Sequence, residues 1–146
     1  MAMLRLPESV LHDLRTHAEE EYPAECCGAL LGTPGKEGWS VTTSVRARNT
    51  RASASKHAYA IAPEELVVID REARQHGLEI AGFYHSHPDH PAEWSATDLA
   101  EAHWVGCCYA IVAMEQGRAT GTRAFLLAGT HEEDKHFEDM SIRIKP

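Results

Sequence analysis

Between Pro7 and Tyr22 the apolar residues Val10, Leu11, Leu14 and Ala18 share one helical stripe, with His12, Asp13, Arg15, Glu19 and Glu20 turned outward. That spacing predicts an amphipathic helix. Pro7 suits its first position and Pro23 stops it. The pattern then changes: Glu25 opens an apolar run through Cys26, Cys27, Ala29 and Leu30 to Gly32, short enough to read as a buried strand. Thr33–Gly38 is a hairpin-type turn and Trp39–Val45 the returning strand. Arg46–Lys56 has little apolar content and reads as a loop, and Ala58–Ile61 as a short strand. Leu66, Val67, Ile69 and Ala73 predict a second helix from Pro63 to His76, stopped by Gly77. Glu79–Tyr84 is another apolar strand, and Ser95 to about Trp104 a short third helix. Cys107–Met114 and Thr120–Ala128 are strands joined by a turn at Glu115-Gln116-Gly117, and Ser141–Ile144 alternates like an edge strand. Helices interleaved with strands give an α/β or α+β class, one mixed sheet flanked by helices.

A chain of 146 residues can bury a sizeable core and is expected to form a single domain over residues 1–146. The formal net charge of -8 argues against nucleic acid as a partner. No apolar run reaches the length of a membrane span, and Met1–Pro7 lacks the apolar core of a signal peptide, so a cytoplasmic location is expected. Charge is uneven. His131–Asp139 carries five acids, whereas Arg46–His57 carries Arg46, Arg48, Arg51 and Lys56 and no acid; both read first as solvated surface. The cysteines form two adjacent pairs, Cys26-Cys27 and Cys107-Cys108. Neighbours on a strand face opposite sides, so neither pair is a chelating clamp, and reduced, buried thiols are expected.

The chemistry concentrates between His85 and Asp98. His85 and His87 follow the apolar strand, and side chains at i and i+2 on a strand point to one face. Two imidazoles can therefore meet one metal ion, and Asp98, beyond the turn Pro88-Asp89-His90-Pro91, can supply a third ligand. Two His and one carboxylate leave a fourth position open, which marks a catalytic site rather than a structural one. Ser95-x-x-Asp98 also fits a helix capping box, so Asp98 could instead serve as a first-turn acid. A metal-activated water needs a base, and Glu25 is the best candidate because a carboxylate beginning an apolar strand is costly without a partner. The chain has no His-Glu-x-x-His, no nucleobase-deaminase zinc signature, no Gly-x-Ser-x-Gly and no P-loop.

Together, Glu25, His85-Ser86-His87-Pro88, Ser95 and Asp98 resemble the JAMM motif of the MPN+ (Mov34/PAD-1) metallopeptidases, with Asp98 eleven positions beyond His87 as that motif requires. The resemblance covers the chain from the first helix to about Gly129, and Pro23-x-Glu25-Cys26-Cys27-Gly28 is similar to the stand-alone bacterial members in particular. It implies a cytidine-deaminase-like JAB/MPN fold. It implies that His85, His87 and Asp98 bind Zn2+, that Glu25 is the general acid/base, and that Ser95 donates to the oxyanion of the intermediate. Ser86 and Pro88 would shape the loop.

By the same resemblance, the reaction is hydrolysis of an amide or isopeptide bond at the C-terminus of a ubiquitin-like protein. A small sulfur-carrier protein with a Gly-Gly tail is the expected substrate, including removal of a C-terminal cysteine adduct. Such a tail could add to a sheet edge near the metal, beside the Arg46–His57 loop. His90, Glu93 and Trp94 could line the substrate channel, and Cys27 shares a strand face with Glu25. Two other readings stay open: a metal-dependent hydrolase of a small amide or thioester, and a non-catalytic MPN binding module. The sequence does not give the oligomeric state.

Overall fold

The computed structural model describes residues 1–51 and 58–146. In chain order the elements are β1 (Ala2–Pro7), α1 (Glu8–Glu21), β2 (Cys27–Gly35), β3 (Gly38–Ala47), α2 (Pro63–Gln75), β4 (Glu79–His87), α3 (Ala96–Glu101), β5 (Cys108–Glu115), β6 (Arg118–Ala128) and β7 (His136–Lys145). The strands lie in the order β1-β3-β2-β4-β5-β6-β7, and β7 returns to β1, so the sheet closes on itself. Pairing is parallel for β1 with β3, β1 with β7 and β4 with β5, and antiparallel elsewhere. The expected mixed sheet with helices is present, wrapped into a barrel. No described helix is long and apolar enough to cross a membrane.

Two faces of the strands carry two cores. On one face, Val10, Leu14 and Ala18 of α1 pack with Leu4 and Leu6 of β1, Leu30 of β2 and Tyr84 of β4. On the other, Ile69 and Ala73 of α2 pack with Ala29 and Leu31 of β2 and Phe83 of β4. Leu30 thus faces one core while its neighbours face the other, which follows from the period of two. Strands buried on both faces read as unbroken apolar runs. In β4 only Glu79 is exposed, so the strand that ends in His85 and His87 is held from both sides.

Several boundaries differ from the sequence reading. β1 was not anticipated; Leu4 and Leu6 are buried, Arg5 is exposed, and the strand's partners lie far along the chain in β3 and β7. Pro7 ends β1 and is the N-cap of α1 rather than its first helical residue. Glu25 precedes β2 instead of opening it. The Ser141–Ile144 strand is part of the longer β7, paired to β6 and β1, and so is not an edge. Ala58–Ile61 is not a strand, because the Ala60 N–H donates to the Asn49 side chain at 3.1 Å instead of to a neighbouring strand. α3 stops at Glu101, where Lys135 Nζ donates to the carbonyls of Ala100 (3.1 Å) and Ala102 (2.9 Å) and ends the helix early. Arg46 belongs to β3 rather than to a loop, and residues 52–57 of that stretch, with Lys56 and His57, lie outside the described residues. α2 ends as expected: Gly77 at φ +69 lets its N–H reach Arg74 and that of Leu78 reach Ala73, a Schellman closure.

Candidate metal centre and active site

Strand pairing brings the distant pieces of the site together. β2 and β4 are antiparallel, with Cys27 opposite His85. One residue further out, Ser86 N–H donates to the Cys26 carbonyl at 3.2 Å, and Ser86 Oγ accepts from Cys26 N–H at 2.8 Å. Ser86 therefore locks the segment bearing Glu25 against the strand bearing both histidines. This is the shaping role expected of it, performed by its hydroxyl within the pairing.

The turn after β4 is tied down by Asp89, which the sequence reading passed over. Asp89 sits at φ 58, a left-handed conformation that Asp tolerates. Its Oδ2 accepts from Tyr22 Oη at 2.7 Å and its Oδ1 from Gln116 N–H at 2.8 Å. The chain then reaches α3, where Ser95 Oγ accepts from Asp98 N–H (3.0 Å) and Asp98 Oδ2 accepts from Ser95 N–H (2.9 Å). This is a complete capping box. The capping and metal readings of Asp98 are thus compatible, since the same carboxylate reaches His87 Nε2 at 3.1 Å and His85 Nε2 at 3.2 Å.

One ligand atom each from His85, His87 and Asp98 lies within 4.8 Å of the others. The hydrogen-bonding logic shows what suits this cluster. His87 Nδ1 lies 3.0 Å from the Pro91 carbonyl, which can only accept, so Nδ1 carries the proton. In the neutral ring Nε2 is then a lone pair, yet it faces Asp98 Oδ2 and lies 3.1 Å from His85 Nε2. Lone pairs and a carboxylate converge on one point, and a cation satisfies all of them together. The donor set, two imidazole nitrogens and one carboxylate, matches a catalytic divalent metal site.

Electrostatics divide the carboxylates. Burial pushes the Glu25 carboxyl up to about 8; nearby His87 opposes this and Asp98 adds to it. Glu25 is 4% exposed, and its Oε1 has no hydrogen-bond partner among the described residues. Burial acts in the same sense on Asp98, but its hydrogen bonds to His85 and His87 outweigh it and hold that carboxyl far below the usual range. Burial lowers His85; His87 is raised, because its bond to Asp98 overrides its burial. One carboxyl ready to hold a proton beside one that stays ionised is the division of labour acid–base chemistry needs.

A cleft of about 340 Å³ opens onto this cluster, lined by Glu25, His87, His90, Glu93, Trp94 and Ser95 among others. The residues expected along a channel do face it. The cysteines are unpaired and buried, and burial pushes Cys27 to about 12 and Cys26 to about 11, so both are core thiols. Of the basic stretch, Arg46 pairs with Glu20 and Arg51 with Glu101.

This fold and this cluster define a class. Residues 7–128 match the family model described as prokaryotic homologs of the JAB domain, and the chain belongs to that family. Among its relatives, a Haloferax volcanii protein named desampylase is 37% identical over 113 residues, covering 77% of this chain and 78% of that one. A Thermus thermophilus protein named as a probable TtuB-protein conjugate cleaving protease is 31% identical over 125 residues, covering 86% and 76% respectively. A solution structure of a Salinibacter ruber protein superposes with a TM-score of 0.71 at 36% identity, covering 97% of this chain and 92% of that one. One from Desulfitobacterium hafniense, with a TM-score of 0.80 at 24% identity over 98% and 94%, shares the fold.

Proposed function

We propose that this chain is a cytoplasmic, zinc-dependent metallopeptidase that hydrolyses the amide or isopeptide bond following the C-terminal Gly-Gly of a ubiquitin-like, sulfur-carrier type protein. The observation that carries this is the convergence of His85, His87 and Asp98 beside a buried Glu25, whose Oε1 has no hydrogen-bond partner among the described residues, at the mouth of a cleft. Relatives named desampylase and probable TtuB-protein conjugate cleaving protease support a protease that cleaves protein conjugates.

His85 Nε2, His87 Nε2 and an oxygen of Asp98 would hold the metal. When bound, zinc activates water for attack on a carbonyl and stabilises the negative charge that develops there. Glu25 takes the water's proton on its carboxylate and delivers it to the leaving amine nitrogen, so the amine departs neutral. A nearby cation favours ionised Glu25, bringing a carboxyl otherwise held near 8 into range for this exchange. Ser95 Oγ accepts from Asp98 N–H, which leaves its own O–H proton for the substrate oxygen as charge builds there. His90, Glu93 and Trp94 orient the peptide in the cleft.

The tail lies close to the far end of β3. The pairing of β3 with β1 covers only Gly38–Ser40, whereas its pairing with β2 continues to Ala47, so an extended peptide has backbone to add to on that side. The test is a β-grasp sulfur carrier bearing a short extension after Gly-Gly, followed by mass spectrometry. We expect release of the extension with zinc, and none with chelator or with Glu25→Gln. No release by a protein that holds zinc would point instead to a hydrolase of small amides or thioesters, and no release with no bound metal to a binding module.

A further inference from the structure

Asn49 is neither in the metal cluster nor in the cleft, yet its side chain spends every hydrogen bond it can make on the surroundings of both. Its Nδ2 donates to the carbonyls of Glu25 (3.0 Å) and Ala58 (3.2 Å), and its Oδ1 accepts from the N–H groups of Arg51 (3.0 Å) and Ala60 (3.1 Å). Two donors and two lone pairs are the full capacity of a primary amide. Two of these partners bracket Tyr59. The Thr50 N–H also donates to the Ala60 carbonyl at 2.9 Å, fixing the same segment a second time.

Tyr59 lies on a proposed metal ligand. Its ring stacks on the His85 imidazole with centroids 4.4 Å apart and planes 20° from parallel. The two histidines are oriented by different means. His87 is fixed by its Nδ1–H bond to Pro91, the usual outer partner of a metal-binding imidazole. His85 is buried, and its Nδ1 has no hydrogen-bond partner among the described residues. Apart from its Nε2, which faces Asp98 at 3.2 Å and His87 at 3.1 Å, ring packing with Tyr59 on its face sets its plane.

We propose that Asn49 is a positioning residue for the metal centre, acting through Tyr59 on His85 and through the Glu25 carbonyl on the general base. The inference rests on the metallopeptidase reading. Removing the amide frees the 58–60 segment from the Glu25 backbone, loosens the ring on His85 and degrades the ligand set. An amide that merely tidies a loop would change stability and leave metal affinity alone.

The test uses the whole chain and zinc alone. Zinc affinity is measured by competition with a chromophoric chelator for wild type, Asn49→Ala, Tyr59→Phe and Tyr59→Leu, alongside the visible spectrum of the cobalt-substituted forms. We expect Asn49→Ala and Tyr59→Leu to bind zinc about 10–100-fold more weakly, as loss of an outer-shell partner does. Tyr59→Phe keeps the stack and stays close to wild type in affinity and cobalt spectrum. In turnover of the extended carrier, kcat falls in Asn49→Ala while KM is unchanged.

Wild-type affinity in Asn49→Ala overturns the proposal, and so does a loss there that Tyr59→Leu does not share. Should Asn49→Ala fail to fold, the Tyr59 pair decides: equal affinities for the Phe and Leu variants overturn the proposal. A wild-type chain that binds no zinc overturns the metal reading and this inference with it. Zinc binding without carrier cleavage overturns only the substrate assignment, and the affinity series still judges Asn49.

Discussion

At the scale of the residue, Glu25 and Ser95 each make a prediction in which sign matters. Burial raises the Glu25 carboxyl from an ordinary 4.5 to about 8 in the metal-free fold. Below 4.5 the folded and unfolded chains both keep that proton, and the stabilising contribution of the neutral form is complete. As pH rises through the window from 4.5 to about 8, the unfolded chain releases the proton while the folded chain retains it, so stability falls. The decline approaches roughly 5 kcal/mol. Urea denaturation of metal-free protein should show it, and Glu25→Gln, neutral and similar in shape, should flatten it; equal slopes for the two proteins would rule out the buried-proton account. Ser95 caps α3 and, under the proposed function, also donates to the oxyanion, so Ser95→Ala should fail twice. Losing the cap costs about 1 kcal/mol of stability, and losing a donor to the developing oxyanion lowers kcat about 10²–10³-fold. A drop in stability with unchanged turnover would leave Ser95 as a cap alone.

At the scale of the element, β4 carries the site because two strands press against it closely. A Cβ added at Gly82 would lie 1.8 Å from the Cys108 carbonyl oxygen of β5, a backbone atom that cannot swing away. Gly82→Ala should therefore cost at least about 3 kcal/mol, the upper range of overpacking, and reduce zinc retention with it; near-wild-type denaturation would show that β4 and β5 separate more easily than their register suggests. Much of this arrangement was legible in the sequence. The apolar runs of β2 and β4, the His-x-His spacing and the α2 stop at Gly77 are local signals, each written within a few residues. What escaped was non-local. β1 is six residues long, and its partners lie in β3 and at the far end of the chain in β7. Asn49 meets Glu25 across 24 positions, and its side chain takes the Ala60 N–H that a neighbouring strand would take in the short strand expected over Ala58–Ile61. Asp89 and Lys135 likewise act on elements far from their own, Lys135 by closing the end of the helix that begins at Ser95.

At the scale of the whole molecule, the strand order closes on itself through β1, while the pairing of β3 with β1 stops at Ser40 and leaves the end of β3 nearer the site open. α1 reaches across the sheet to touch β1, β3, β4, β5 and β6, so the two ends of the chain and its middle share one core. Metal loading should then stabilise the molecule as a unit, by about 2.7 kcal/mol when free zinc stands at a hundred times its dissociation constant; thermal unfolding followed by separate probes of helix and aromatic side chains should move together. The capping box adds something to this. Asp98 closes the start of α3 by its own bonds to Ser95, and those bonds draw on no cation. Loading resembles a key entering a lock already cut: a calorimetric titration should record almost no heat-capacity change, and circular dichroism no gain of helix, because nothing is left to fold when the ion comes in.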